Sequence, residues 1–285
     1  MSAVNANGLA ARASLRDKLF LGMSFSDYLK AQVTPFNIID AIILAVGIPV
    51  TWILFTQGLA ATTNLTDTNP WGLWIGVDVL CGVALAAGGF TLGSAVYLFG
   101  MKEYHPIVRP AVLTGFLGYF FVVIGLAFDL GRPWRLPYPM FVAYGTPTVM
   151  FLVGWHVALY LSCQFVEFSP ALLEWLGLKK WRKFAVSMTI GATILGVILS
   201  TLHQSALGAL FLLTPDKLHP LWYTSYLPVF FLNSAIIAGM AMVIFESMLS
   251  HKFFSKQIGH HEHANFDKLT LGLGKAAAVA MFGYF

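Results

Sequence analysis

The chain has 285 residues, 58% of them hydrophobic and only 11% charged, with a mean hydropathy of +0.73. Soluble domains carry about a quarter of charged residues, so this balance excludes an ordinary soluble protein. The formal charge of +4 does not call for a nucleic-acid partner, because the basic residues cluster at the ends of apolar stretches, where membrane proteins keep them.

Residues 1–36 are polar to amphipathic and lack the apolar core and cleavage site of a signal peptide. Leu15, Leu19, Phe20, Met23 and Tyr28 share one helical face, which predicts a helix lying on the cytoplasmic surface of the membrane. Residues 37–285 are expected to form an all-α, polytopic transmembrane helix bundle. Stretches of about 20 apolar residues, enough to cross a bilayer, run near Ile38–Leu59, Trp71–Phe99, Ala111–Phe128, Thr146–Phe168, Ala185–Leu213 and Leu227–Leu249. Pro49 predicts a kink in the first. Gly89 and Gly93 predict close backbone approach by the second. The fifth is interrupted by His203-Gln204-Ser205. A last apolar stretch, from Leu269 to Phe285, is short, so six full spans plus a truncated seventh are expected.

Loop charges set an expected orientation. Thirteen Lys and Arg fall on the side of the N-terminal tail and of loops 100–110, 169–184 and 250–268; only Arg132, Arg135 and Lys217 fall on the other. By the positive-inside rule the N-terminus is cytoplasmic, in a bacterial inner membrane, and loops 60–70, 129–145 and 214–226 face the periplasm. Cys81 and Cys163 are too few for an iron–sulfur cluster, which takes about four thiolates. The Gly259-His260-His261-Glu262-His263 tract reads as a solvated loop. No metal site is therefore expected in this chain, and redox metals are expected on a partner.

Charged groups inside spans cost about 2.5–3.5 kcal/mol each on insertion scales, so they point to function. Asp78, Asp129, Arg132 and His203 come from three spans yet all belong to the expected periplasmic half, which suggests a cavity. Gln204 adjoins His203, and Trp71, Trp74, Trp134 and Trp222 are candidate aromatic walls. His156 and Tyr119 lie mid-span; Glu246, Asp40 and Glu167 lie near cytoplasmic helix ends, where snorkelling or capping accounts for them. A His–carboxylate–Arg group suits quinone chemistry, in which carbonyl oxygens need donors and a proton relay near neutrality. An ion-coupled secondary transporter would place Asp and His inside spans as well. A di-haem cytochrome b anchor needs two facing histidine pairs, and only His156 and His203 lie inside spans.

Five ordered motifs then carry a resemblance. Pro70-Trp71-Gly72-Leu73-Trp74-Ile75-Gly76-Val77-Asp78, Tyr104-His105-Pro106-Ile107-Val108-Arg109-Pro110-Ala111, the Asp129–Trp134 run, Leu202-His203-Gln204-Ser205 with His219-Pro220-Leu221-Trp222, and Ile244-Phe245-Glu246 resemble the NrfD/polysulfide-reductase membrane subunits. The likeness covers residues 70 to 250 and is nearest to the quinone-reactive type 2 nickel–iron hydrogenase branch and the menaquinone-reactive subunits of sulfate reducers. It implies a bundle of eight to ten helices, without haem, that binds menaquinone (ahead of ubiquinone) near its periplasmic side. It further implies a periplasmic four-cluster iron–sulfur subunit and a catalytic partner of hydrogenase, molybdopterin or multihaem cytochrome type. By position Asp78, Asp129, Arg132 and His203 match residues of the quinone pocket; Tyr119 and Glu246 match residues linked to proton transfer. Where the hydrogenase relatives carry a Glu, this chain has Leu152, and His156 is the nearest ionisable substitute.

Overall fold

The computed structural model describes residues 19–66, 68, 75–142, 145–213, 215–253 and 260–285; Leu15, Trp71, Trp74 and the side chains of the 259–263 tract lie outside that description. All regular structure among the described residues is helical, and six helices are long and apolar enough to cross a membrane.

Helix α1 (Phe25–Ala31) begins at Ser24, whose Oγ accepts the Asp27 N–H. Phe20 packs edge-on against Phe25 and Tyr28, with ring centroids 5.6 and 5.4 Å away. Helix α2 (Pro35–Gln57) opens with a Thr34 cap and proline in its first turn, where the missing N–H costs nothing, and it contains Pro49. Leu54 is its one buried residue. The chain here touches the bundle through Phe55 on Phe128 and through Leu59, which fills the space beside Gly131 (φ +61°).

The second span, α3 (Gly76–Leu98), is the innermost. Two π-helical segments, Gly76–Cys81 and Ser94–Leu98, flank its α-helical turns. Its position depends on small residues. A Cβ at Gly239 would lie 2.4 Å from the Gly88 nitrogen, and one at Gly89 would lie 3.1 Å from the Ala111 oxygen. Gly93 makes only an ordinary contact, 3.5 Å from Thr193 Cγ2. Gly88 and Gly89, rather than Gly89 and Gly93, are thus the close-approach pair.

Helices α4 (His105–Asp129), α5 (Tyr138–Phe141), α6 (Val149–Leu176), α7 (Lys179–Leu212), α8 (Leu227–Phe253) and α9 (His260–Tyr284) complete the chain. Several outrun their predicted apolar stretches, because apolar length measures the bilayer and not the helix. With 34 residues, α7 is about 51 Å long against a hydrocarbon core of about 30 Å. Its surplus carries Lys179, Lys180, Arg182 and Lys183 at the lysine-rich face. The polar His203-Gln204-Ser205 interruption of the apolar stretch does not break the helix: α7 runs through it, and His203 and Gln204 find partners inside the bundle. Helix α9 starts at His260, ahead of the predicted Leu269, and docks on α8, with Asn233 Nδ2 donating to the Ala280 carbonyl at 3.0 Å. Helices α6 and α7 pair side by side, and α3 packs among α4, α7 and α8. The core where they meet includes Val83, Ala87, Phe90, Val122, Leu199 and Leu207.

Candidate functional site

Four polar side chains close that core. Tyr119, near the middle of α4, is wholly buried; its ring meets Tyr160 of α6 edge-on at 4.6 Å and His203 of α7 at 5.3 Å. His203 is also wholly buried, and both of its ring nitrogens are engaged. Nδ1 bonds the Leu199 carbonyl at 2.8 Å; a carbonyl can only accept, so Nδ1 carries the proton. In the neutral ring Nε2 then accepts, and the Tyr119 hydroxyl bonds directly to it. Gln204 Nε2 donates to Tyr119 Oη and to the Val83 carbonyl, both at 3.1 Å. The bonds therefore point one way, from Gln204 through Tyr119 to His203.

Helical spacing builds this centre. Leu199 precedes His203 by four residues, so the imidazole bonds its own helix. On α7, Thr193, Ser200, His203 and Gln204 recur at helical intervals; on α6, His156, Tyr160, Gln164 and Glu167 do the same. The two stripes face each other. Gln164 Nε2 donates to Tyr160 Oη at 3.0 Å, and the buried Ser200 Oγ lies against both tyrosine hydroxyls. Room comes from Gly115, where a Cβ would stand 2.6 Å from Gln164 Nε2.

The other predicted residues form a ladder rather than a ring. Asp78, half-buried on the first π segment of α3, rests on Gly125 of α4, where a Cβ would be 3.1 Å from Asp78 Oδ2. Gly125 is six residues, about 9 Å, beyond Tyr119. Asp129 stands four residues further, half-buried at the end of α4, and Arg132 is exposed in the turn that follows. The single depth expected for these residues resolves into steps because α4 repeats one face at 119, 122, 125 and 129. His156 is one turn from Tyr160; its Nδ1 is buried with no hydrogen-bond partner among the described residues. Trp134 and Trp222 are 61% and 73% exposed and take no part in the centre. Glu246 accepts a bond from Thr114 Oγ1 on another face of α4. Among the described residues, no group of His, Cys, Asp and Glu is placed to hold a metal.

Sequence reasoning singled out Tyr119, His203 and Gln204, which the structure joins. It passed over Tyr160, Gln164 and Ser200, and it gave Glu167 only a capping role, whereas Thr193 Oγ1 donates to its carboxylate between α6 and α7. The facing stripes at intervals of three and four were the available signal.

Comparison with known proteins agrees with this architecture. Residues 61–285 match the family described as "Polysulphide reductase, NrfD". A protein of Nitratidesulfovibrio vulgaris is 55% identical over 92% of this chain and 68% of its own length. The "Probable Ni/Fe-hydrogenase 2 b-type cytochrome subunit" of Escherichia coli is 36% identical over 78% of this chain and 57% of its own. The "Menaquinone reductase, integral membrane subunit" of N. vulgaris is 31% identical over 58% of this chain and 40% of its own. The chain thus spans between two fifths and about two thirds of these relatives. No solved structure matches. Six apolar helices, a buried polar centre on the third to fifth of them and a match over most of the length place this chain in the NrfD polysulphide reductase family of integral membrane proteins.

Proposed function

We propose that this chain is the quinone-reactive membrane subunit of a respiratory oxidoreductase complex. It would exchange electrons between an iron–sulfur partner on the periplasmic side and menaquinone in the bilayer, with the N-terminus cytoplasmic. The observation that carries this is the Gln204–Tyr119–His203 chain, a satisfied polar centre buried halfway through an apolar bundle whose relatives include a menaquinone reductase subunit. A hydrogenase, molybdopterin or multihaem enzyme would supply or take the electrons.

Reduction of a quinone takes two electrons and two protons, and both carbonyl oxygens must be held meanwhile. The polar groups above the centre suit that task. His156 brings an unsatisfied buried nitrogen, and Asp78 brings a carboxylate with no hydrogen-bond partner among the described residues. Buried polar atoms are rarely left unpaired, so His156 Nδ1 favours an external partner. His203 would act on the quinone through Tyr119: a proton taken at Nε2 makes the Tyr119 hydroxyl turn from donor to acceptor. Asp129 and Arg132 would set the charge at the mouth, and Trp71, Trp74 and Gln204 complete the proposed binding set. Proton transfer at the site is assigned to Tyr119 and His156; Glu246, the other group that the resemblance links to proton transfer, is bonded by Thr114 on another face of α4. The E. coli relative carries a cytochrome name; we propose that haem lies outside this chain, which is favoured by His203 having both ring nitrogens engaged where axial ligation needs one free.

The test is binding of a fluorescent quinoline N-oxide, a quinone-site analogue, to the purified native complex. Saturable quenching near one equivalent is expected, lost in Asp78→Ala and His156→Ala. Absence of saturable binding in the wild-type complex would overturn the assignment.

A further inference from the structure

The seam between α6 and α7 holds more polar groups than a quinone pocket uses. Below the Tyr119–His203 pair lie Tyr160, Ser200 and Gln164, each at most 2% exposed. One turn beyond Gln164 stands Glu167, half-buried and bonded by Thr193 Oγ1, itself 3% exposed. From Thr193 to His203 is ten residues of α7, about 15 Å, or half of a hydrocarbon core of about 30 Å. Polar groups are costly at that depth, and a packing role would not need them in single file. Two of them, Gln164 Oε1 and Ser200 Oγ, are buried with no hydrogen-bond partner among the described residues. Such atoms are where ordered water completes a chain.

The geometry points to Glu167 as the proton inlet of the buried centre, delivering through Gln164, Tyr160 and Ser200, with intervening water, to Tyr119 and His203. The proposal rests on the quinone assignment and extends it. Each turnover would join one quinone, two electrons from an external iron–sulfur or haem donor and two protons drawn along the seam, to give one quinol. Because Glu167 lies toward the lysine-rich face and the electrons arrive from the opposite face, turnover moves charge across the membrane. Glu246 stands on a different face of α4, and among the described residues no hydrogen bond links its partner Thr114 to Tyr119.

The test uses the native complex reconstituted in phospholipid vesicles, with 2,3-dimethyl-1,4-naphthoquinone as acceptor and reduced methyl viologen as donor. Protein-free vesicles supply the background, and a voltage-sensitive dye reports membrane potential. Glu167→Gln keeps the shape and the Thr193 contact but cannot release a proton. It is expected to slow turnover roughly tenfold or more and to reduce the potential in step. Glu167→Asp should recover part of both, and Glu174→Gln, at an exposed ion pair with Arg182, should match the wild type. The inference is overturned if Glu167→Gln turns over and charges the membrane normally. It is overturned equally if Glu246→Gln alone abolishes the potential, or if wild-type turnover produces none. Absence of turnover in the wild-type complex would instead remove the quinone assignment, and the inlet with it.

Discussion

Tyr119→Phe removes one oxygen from the centre of the bundle and leaves the rings in place. The edge-on contacts with Tyr160 at 4.6 Å and His203 at 5.3 Å survive, so the change isolates hydrogen bonding from packing. Two groups lose a partner. His203 Nε2 keeps no donor, and Gln204 Nε2 retains only the Val83 carbonyl. A buried group left unsatisfied costs about 1–3 kcal/mol. Interhelical hydrogen bonds measured in a membrane protein average only about 0.6 kcal/mol and reach about 1.7, because the unfolded state in lipid also finds partners. With two groups orphaned around a wholly buried histidine, the loss should fall at about 1–3 kcal/mol. The assay is SDS-driven unfolding in mixed micelles, read by circular dichroism, for wild type, Tyr119→Phe, His203→Leu and the double variant. The cycle should return a coupling of about 0.5 kcal/mol or more, as expected for residues in one network. A coupling within about 0.3 kcal/mol of zero would mean that the bond does not hold the centre together.

The same assay separates glycines of different duty. Gly239→Ala puts a Cβ 2.4 Å from the Gly88 nitrogen, and backbone cannot step aside, so a loss of about 1–3 kcal/mol or more is expected. Gly191→Ala meets nothing within 4 Å and should be neutral or gain up to about 1 kcal/mol from helix propensity; equal effects at the two sites would refute the α3–α8 crossing. For orientation, single cysteines introduced at Asp216 and at Lys180, with Cys81 and Cys163 replaced, should react with an impermeant maleimide in intact cells at 216 only. The reverse pattern would invert the bundle and carry the proposed proton inlet to the outer side.

How much was legible depended on the range of the interaction. The six spans were readable because about 20 apolar residues in a row have one stable destination, and loop charges carry orientation in the same local way. Helix ends lie beyond the expected apolar stretches at α4, α6 and α7, since Arg109, Glu174 and Lys179 fall outside an apolar run without stopping a helix. Asp78, Asp129 and His203 were conspicuous as charges in lipid, but their relative depths were not. That spacing follows from how α3 and α7 slide against α4, through Gly125 against Asp78 and Tyr119 against His203.

By itself the amino-acid order determined what must lie in the bilayer, which residues were costly there and which family the motifs resemble. Each of these follows from one residue type meeting one solvent. Only the tertiary structure decided that His203 spends both nitrogens on Leu199 and Tyr119, that His156 keeps one buried and unpaired among the described residues, and that Glu167 joins a polar seam instead of capping a helix end. Those outcomes depend on side chains from separate helices sharing a few cubic ångströms, and helix packing, unlike hydropathy, is set by partners far away along the chain.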